Sequence, residues 1–157
     1  MLLSVVVPMY NEKEVICETY RRLSAVLSAM PEQYELIFVN DGSRDGTFDL
    51  LLSAAKDDPN VKMIDFARNF GHQMAVRAGL SKASGQAIVI IDADLQDPPA
   101  LLPEMLRAIR EEGYDYPVRA KLGVSYIPKK TYGNVTFPAG NYQALNVTIG
   151  EGVGQNW

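Results

Sequence analysis

Short apolar runs alternate with amphipathic stretches along the first 115 residues of the chain. Four runs rich in Val, Ile, Leu and Phe are typical of strands buried on both faces of a sheet, and they cover residues 2–8, 34–40, 61–67 and 86–92. After each run, apolar residues recur at helical spacing, which predicts helices over about 9–30, 48–55, 71–84 and 97–113. Four strand–helix units in series predict an α/β fold, with a mostly parallel sheet and helices on both of its faces.

Signals for the ends and faces of the helices accompany this pattern. Asn11 and Glu14, three residues apart, resemble a capping box for the first helix. Gly85 is typical of the residue that follows a helix, and Asp97 precedes two prolines as the expected cap of the fourth helix. The buried face of the second helix is predicted to consist of Phe48, Leu51, Leu52 and Ala55.

Composition restricts the class of protein. The chain has 157 residues, of which 47% are hydrophobic and 22% charged, as in a globular domain with or without an appendage. A single cysteine, Cys17, excludes an internal disulfide and a cysteine-based zinc site, and a net charge of -4 argues against a nucleic-acid partner. Because the sequence shows no membrane-spanning run and no signal peptide, we expect a cytoplasmic protein.

Charge is unevenly distributed between the two parts of the chain. Residues 116–157 carry four of the 15 basic residues but only one of the 19 acidic residues, Glu151. This shift predicts a domain over residues 1–115 and a separate tail over residues 116–157. The extended runs at 116–128 and 142–152, with turns at YGN and PAGN between them, predict that the tail is rich in β-structure.

Polar loops follow three of the predicted strands: PMYNE after the first, NDGS after the second and DADLQDPP after the fourth. Ligands of doubly wound sheets lie beyond the carboxyl ends of the strands, where the strand order reverses. With the strand order 3-2-1-4, the first and fourth strands are neighbours at this point. PMYNE and DADLQD are then expected to face each other across one crevice, with Asp41 at its edge.

The loop after the fourth strand has the strongest chemical signal. Asp92, Asp94 and Asp97 lie within six residues, and carboxylates this close raise one another's pKa unless a cation is present. Asp92, Asp94 and Gln96 offer oxygen ligands at alternating positions, which suits Mg²⁺ or Mn²⁺. Since such ions complete their coordination with water and phosphate oxygens, a diphosphate ligand is consistent with this loop.

The same residues also have purely structural interpretations. Pro8 can simply end a strand, Asn11 can simply cap a helix, and NDGS is a common turn. The only histidine, His72, is more often structural than catalytic, and Cys17 is most simply a packing residue. The first loop is not G-x-G-x-x-G, so the usual dinucleotide-binding fingerprint is absent.

Four segments together resemble family 2 glycosyltransferases, in particular the polyprenyl-phosphate sugar transferases. They are VVVPMYNE, FVNDGSRDGT, NFGHQMAVRAGLSKASG and VIIDADLQDPPALLPEML, and the resemblance covers residues 1 to about 115. It implies the nucleotide-sugar-binding half of a GT-A fold. It also implies a nucleotide site lined by Pro8, Tyr10, Asn11 and Glu12, a nucleoside contact from Asp41, and a site for metal and diphosphate formed by Asp92, Asp94 and Gln96.

The reaction implied by this resemblance is transfer of a hexose from a UDP- or GDP-sugar to a polyprenyl phosphate. A bound Mg²⁺ or Mn²⁺ would offset the charge that develops on the leaving nucleoside diphosphate. The acceptor phosphate is already a nucleophile, so a strong general base is less needed than for a neutral hydroxyl. A lipid acceptor would place the protein in the cytoplasm, peripheral to the inner face of the membrane.

The tail departs from that family. Its segments YPV, KTYGNVTFPAGNY and IGEGVGQNW resemble part of stage II sporulation protein R. The sequence is therefore interpreted as a fusion of two partial families in which the acceptor-binding half of the transferase is missing, so we expect impaired transfer. Two alternatives stay open: a nucleotide-sugar-binding module without catalysis, and an interaction or signalling protein that acts through its tail.

Overall fold

A computed structural model of the chain describes residues 1–96 and 98–112, together with three strands in the C-terminal region. The strands are β1 (Leu2–Met9), β2 (Gln33–Asn40), β3 (Val61–Asp65), β4 (Ala87–Ile91), β5 (Pro117–Ala120), β6 (Gly123–Tyr126) and β7 (Gln143–Val147). The helices are α1 (Ile16–Ser28), α2 (Thr47–Ala54), α3 (His72–Lys82) and α4 (Leu102–Glu112), the last preceded by a 3-10 turn at Pro99–Leu101.

The main sheet is parallel, with the strand order β3-β2-β1-β4-β7. The predicted order of the first four strands is thus confirmed, and β7 adds a fifth strand beside β4. The antiparallel pair β5–β6 forms a second, small sheet. All described parts of the predicted β-rich tail are strands, whereas its predicted turns lie outside the described residues.

Both faces of the sheet are covered, as predicted. Alternate residues of β1 divide between two apolar clusters: Val5 and Val7 pack in the larger one, and Val6 packs in the smaller one. The larger cluster includes buried side chains of α1, α2 and α4, and the smaller one includes Ala75 of α3. Because every residue of β1 from Leu3 to Met9 is buried, this strand forms the centre of the domain.

The predicted start of the first helix is wrong. The structure begins α1 at Ile16, and its N-cap residue Val15 makes no side-chain cap, so Asn11 and Glu14 do not form a capping box. Asn11 has a backbone φ of 55°, in the left-handed region, which interrupts a right-handed helix. Its side chain instead accepts a hydrogen bond from the Arg44 amide, 2.9 Å away.

Two further details differ from the sequence predictions. Leu52 is 49% exposed, whereas Leu51 and the flanking Ala55 are buried and Phe48 packs partly buried against the same apolar cluster, so only Leu52 of the predicted face is wrong. The backbone leaves α3 in an extended conformation at Ala83, so Gly85 is not the helix-ending residue. A Cβ at Gly85 would lie 2.7 Å from the Leu2 carbonyl oxygen, so glycine is required there for close packing against β1. The predicted cap Asp97 lies outside the described residues.

A buried carboxylate joins three strands at the amino edge of the sheet. Glu35 of β2 accepts hydrogen bonds from Ser4 of β1, from Lys62 of β3 and from Ser84 just before β4. Burial alone would raise the pKa of Glu35, but these hydrogen bonds outweigh burial and lower the pKa to about 2. The charged form of Glu35 therefore stabilises the fold.

None of the described helices has both the length and the apolar composition required to span a membrane.

The lowered pKa of Glu35 predicts a stability change with pH. The carboxylate contributes fully above the unfolded value of 4.5, and its contribution is lost as the pH falls towards 2. We expect Glu35→Gln to lower the free energy of unfolding by about 3 kcal/mol at neutral pH and by much less near pH 2. Chemical denaturation of both proteins across this range measures the difference. A difference that does not change with pH would contradict the assigned network.

Candidate functional site

The strand order reverses between β1 and β4, so the loops that follow these two strands leave the carboxyl edge of the sheet side by side, where the sequence predicts a crevice. β2 pairs with one side of β1, and β4 pairs with its other side. Met9 pairs with Asn40 and Asn40 pairs with Asp65, so the first three strands end at one level. This is the position at which parallel sheets of this type bind ligands.

The loop after β2 holds the loop after β1 in place. Backbone amides of the first loop donate to side chains of the second: Asn11 to Ser43, Glu12 to Thr47, and Lys13 to Asp45, over 2.9, 2.8 and 3.1 Å. These amides would otherwise lack helical partners, because α1 has not yet begun. The conformation of PMYNE, with its exposed Tyr10, is thus determined by polar side chains elsewhere in the chain.

Asp41 holds the loop after β3 in the same way. Its carboxylate is 3% exposed and accepts the Phe70 amide at 2.7 Å and the Gly71 amide at 2.9 Å. The two loops also touch at Gly42, which has a φ of 68° and where a Cβ would lie 2.3 Å from the Arg68 carbonyl carbon. Asp41 therefore orders the start of α3, and its predicted contact with a nucleoside stays a prediction.

The loop after β4 turns sharply and presents two carboxylates. The Asp94 side chain accepts a hydrogen bond from the Gln96 backbone amide over 3.0 Å, and Leu95 between them has a backbone φ of 65°. The carbonyl of Ala93 accepts a hydrogen bond from the hydroxyl of Thr19 on α1. The side chain of Asp92 is 35% exposed, and Gln96 is exposed, so both lie where a ligand can reach them.

Negative charge accumulates where the first and fourth loops meet. Burial raises the pKa of Glu12, and the charges of Asp94, Asp45 and Asp92 raise it further. Burial also raises the pKa of Asp92, where the nearby His72 opposes the effect and Asp94 adds to it. The His72 Nε2 atom lies 3.8 Å from Asp92 Oδ1. The loops after β1 and β4 therefore place Glu12, Asp92 and Asp94 near enough for their charges to influence one another, while their predicted roles in binding stay predictions.

Several predicted site residues occupy different environments. Pro8 is buried as part of β1, whereas Tyr10 and Asn11 are exposed in the loop beyond it. Among the described residues, no group of three or more His, Cys, Asp and Glu side chains is arranged to hold a metal ion. A site with only two carboxylates is nevertheless compatible with Mg²⁺ or Mn²⁺, which retain water or phosphate oxygens in their coordination shell.

Sequence reasoning missed the residues that organise the loops. Ser43, Asp45 and Thr47 belong to the NDGSRDGT segment, whose closely spaced polar side chains could have indicated a hydrogen-bonding role for more than NDGS. Thr19 gives no such signal, because it lies within a helix and its partner Ala93 is 74 residues away.

Comparison with known proteins decides the family. The model of the family described as "Glycosyl transferase family 2" matches residues 4–150. The chain belongs to this family. The match extends past residue 115, into the region with a second resemblance, to a sporulation protein. That resemblance and the division into segments 1–115 and 116–157 stay predictions.

Curated relatives are similar over most of the chain. An uncharacterized glycosyltransferase of Bacillus subtilis, YkcC, is 53% identical over 131 residues, which cover 82% of this chain and 40% of the relative. The bactoprenol glucosyl transferase of Shigella phage SfV is 42% identical over 106 residues, which cover 68% and 34%. The undecaprenyl-phosphate 4-deoxy-4-formamido-L-arabinose transferase of Yersinia pestis is 41% identical over 113 residues, which cover 71% and 34%. The chain thus spans at most 40% of the length of these relatives.

Solved structures confirm the GT-A fold. Residues 1-349 of S. aureus TarS in complex with UDP-GlcNAc have a TM-score of 0.63 and 24% identity, and the match covers 82% of this chain and 37% of that fragment. The Pyrobaculum calidifontis mannosyltransferase PcManGT, in complex with GDP-Man and Mn²⁺, has a TM-score of 0.64 and 24% identity, with 75% and 34% covered. At this level of identity, the similarity shows the fold.

The anchoring role of Asp41 can be tested by Asp41→Asn. The asparagine side chain has one carbonyl oxygen and can accept only one of the two amides, so the second loses a charge-assisted hydrogen bond. We expect the free energy of unfolding to fall by about 1–3 kcal/mol, and the Phe70 and Gly71 amides to exchange faster with solvent. Hydrogen exchange measures the local effect.

The matched control is Asp49→Asn, the same change at an exposed position of α2. This control should leave the exchange of Phe70 and Gly71 unchanged. Equal protection of these two amides in Asp41→Asn and in the parent protein would contradict the anchoring role.

Proposed function

We propose that this chain is the donor-binding part of an enzyme that transfers a hexose from a nucleoside-diphosphate sugar to a polyprenyl phosphate, with Mg²⁺ or Mn²⁺ as cofactor. The observation that carries the proposal is the strand order of a family 2 glycosyltransferase sheet, which reverses between β1 and β4 and brings the acidic loops of Glu12 and of Asp92 and Asp94 to one edge. Because the chain spans at most 40% of its relatives, the activity belongs to the proposal rather than to the family assignment.

The carboxylates are suited to a divalent cation. Their mutual repulsion contributes to the raised pKa values of Glu12 and Asp92, and a cation would relieve it. Asp92 and Asp94 would hold the ion, with Gln96 beside them as the sequence predicts. Such an ion, when bound, offsets negative charge on the leaving nucleoside diphosphate.

The donor is proposed to lie across the crevice, with its diphosphate at Asp92 and Asp94 and its nucleoside towards the loops after β1 and β2. The ordered PMYNE loop presents an exposed Tyr10 and Asn11 on this side, and Asp41 holds the neighbouring Phe70 loop. Structural neighbours in complex with UDP-GlcNAc and with GDP-Man and Mn²⁺ support a nucleotide sugar as the ligand.

The names of the relatives support the proposed acceptor. One is a bactoprenol glucosyl transferase and another an undecaprenyl-phosphate transferase, both acting on a polyprenyl lipid. A phosphate acceptor is already a nucleophile, so the site needs no strong general base. Glu12 is therefore proposed to bind the nucleotide rather than to act as a base. The lipid acceptor would bring the protein to the inner face of the membrane as a peripheral partner.

Metal-dependent nucleotide binding tests the donor site. We expect UDP or GDP to raise the stability of the chain by about 2.7 kcal/mol at 100 times its dissociation constant, and to bind more tightly with Mn²⁺ than without it. Asp94→Asn should remove most of the metal-dependent part. Asparagine keeps the oxygen that accepts the Gln96 amide, so the turn should survive while the charge is lost. Thermal unfolding and calorimetric titration measure both effects.

The matched control is Asp57→Asn, which removes one charge at an exposed site after α2. Its binding should equal that of the parent protein. If neither nucleotide binds the parent chain with Mn²⁺ present, or if Asp94→Asn retains the full metal dependence, the donor site is wrongly assigned.

Radiolabelled UDP-glucose or GDP-mannose with polyprenyl phosphate and Mn²⁺ tests the reaction. The motifs recognised in the sequence hold the donor, and reactive alignment of an acceptor can supply up to about 11 kcal/mol of the barrier. We therefore expect more free hexose than lipid-linked hexose, and Asp94→Asn should lower both. Lipid-linked hexose as the main product would show that the tail completes the site. Absence of any Asp94-dependent donor turnover would contradict the proposed function.

A further inference from the structure

A buried hydroxyl connects helix α1 to the backbone between the two carboxylates of the fourth loop. Thr19 is 1% exposed, and its Oγ1 atom lies 2.7 Å from the Ala93 carbonyl oxygen and 3.1 Å from that of Val15. A hydroxyl has one proton to donate, and the shorter distance favours Ala93 as the main acceptor. Ala93 is itself 2% exposed and stands directly between Asp92 and Asp94.

This contact lies where the loop leaves the sheet. The ladder between β1 and β4 ends at the pair Val6 and Ile90, and the pairing of β4 with β7 ends at Ile91. Two residues further on, the Thr19 hydroxyl ties the chain to a helix before the turn at Leu95 begins. The hydrogen bond therefore holds the segment whose neighbours carry the proposed metal ligands.

The same helical turn is connected to the opposite side of the crevice. The Glu12 carbonyl oxygen accepts the amides of Val15 and Ile16, at 3.0 and 2.9 Å, and the Val15 carbonyl accepts the Thr19 amide at 2.9 Å. Ile16 is fully buried in the larger apolar cluster, which fixes this end of α1 against the sheet. The first turn of α1 thus spans from the loop of Glu12 to the loop of Asp92 and Asp94.

We propose that Thr19 is a positioning residue for the cation: its hydroxyl places the backbone at Ala93 so that Asp92 and Asp94 face one ion across the crevice from Glu12. This assignment rests on the proposed function. Threonine suits the role because its β-branched side chain has few rotamers, which keeps the hydroxyl aimed at one acceptor. Groups that orient metal ligands in this way typically contribute 10- to 100-fold to metal affinity.

Thr19→Val is the informative variant. Valine keeps the branched shape but cannot donate, so the buried Ala93 carbonyl loses this partner and the loop can shift. We expect Mn²⁺ affinity, measured from the electron paramagnetic resonance signal of free Mn²⁺, to fall about tenfold, the lower limit for such groups. Thr19→Ser retains the hydroxyl and should bind Mn²⁺ within about twofold of the parent, a rescue that shape alone does not predict.

Ser4→Ala separates positioning from general loss of stability. Ser4 is also a fully buried hydroxyl, but it bonds Glu35 at the opposite edge of the sheet. This variant should lower the melting temperature and leave Mn²⁺ affinity unchanged. If the valine variant does not fold, Thr19→Cys, which keeps a weak donor, provides the comparison and should bind Mn²⁺ more weakly than Thr19→Ser.

The possible failures are distinguishable. Absence of Mn²⁺ binding by the parent chain would overturn the metal site and the proposed function with it. If the parent chain and folded Thr19→Val bind Mn²⁺ with equal affinity, the role of Thr19 alone is overturned. Loss of affinity in Ser4→Ala in proportion to its lost stability would also overturn that role, because any destabilised fold would then bind poorly.

Discussion

The candidate site depends on negative charges that lie near one another at the carboxyl end of a buried parallel sheet. Glu12 and the pair Asp92 and Asp94 come from loops far apart in sequence, and burial and nearby negative charge both raise the pKa values of Glu12 and Asp92. Among the described residues, His72 near Asp92 partly offsets this effect. Hydrogen bonds to the backbone of the two loops hold the arrangement in place against the remaining repulsion.

The loop after β2 supplies much of that hold. Side chains of this loop and of Thr47 accept hydrogen bonds from backbone amides of the first loop, and Asp41 does the same for the loop after β3. α1 provides the corresponding hold for the fourth loop through Thr19. Polar side chains thus replace the hydrogen bonds that strands and helices would have made, so irregular backbone is ordered at the proposed binding site.

The sequence predicted the fold better than the details of the site. Alternating apolar runs are a local signal, and the burial of β1 on both faces explains why its run of valines identified a central strand. The acidic loop was recognisable because Asp92 and Asp94 are two residues apart. By contrast, the capping role assigned to Asn11 failed because a long-range partner, the Arg44 amide, competed with the local helical pattern. The bond from Thr19 to Ala93 depends wholly on tertiary packing, and no spacing rule reports it.

The two edges of the sheet treat buried carboxylates in opposite ways. At the amino edge, Glu35 is surrounded by donors, its pKa is lowered, and its charge stabilises the fold. At the carboxyl edge, Asp92 has a raised pKa and faces other carboxylates, with the half-exposed His72 as a nearby basic group. A carboxylate that is already hydrogen-bonded by donors is stabilised little by a further ligand, whereas a carboxylate held among like charges is stabilised when a cation binds. The contrast therefore assigns stability to the amino edge and supports the proposed binding site at the carboxyl edge, on the same sheet and with the same type of side chain.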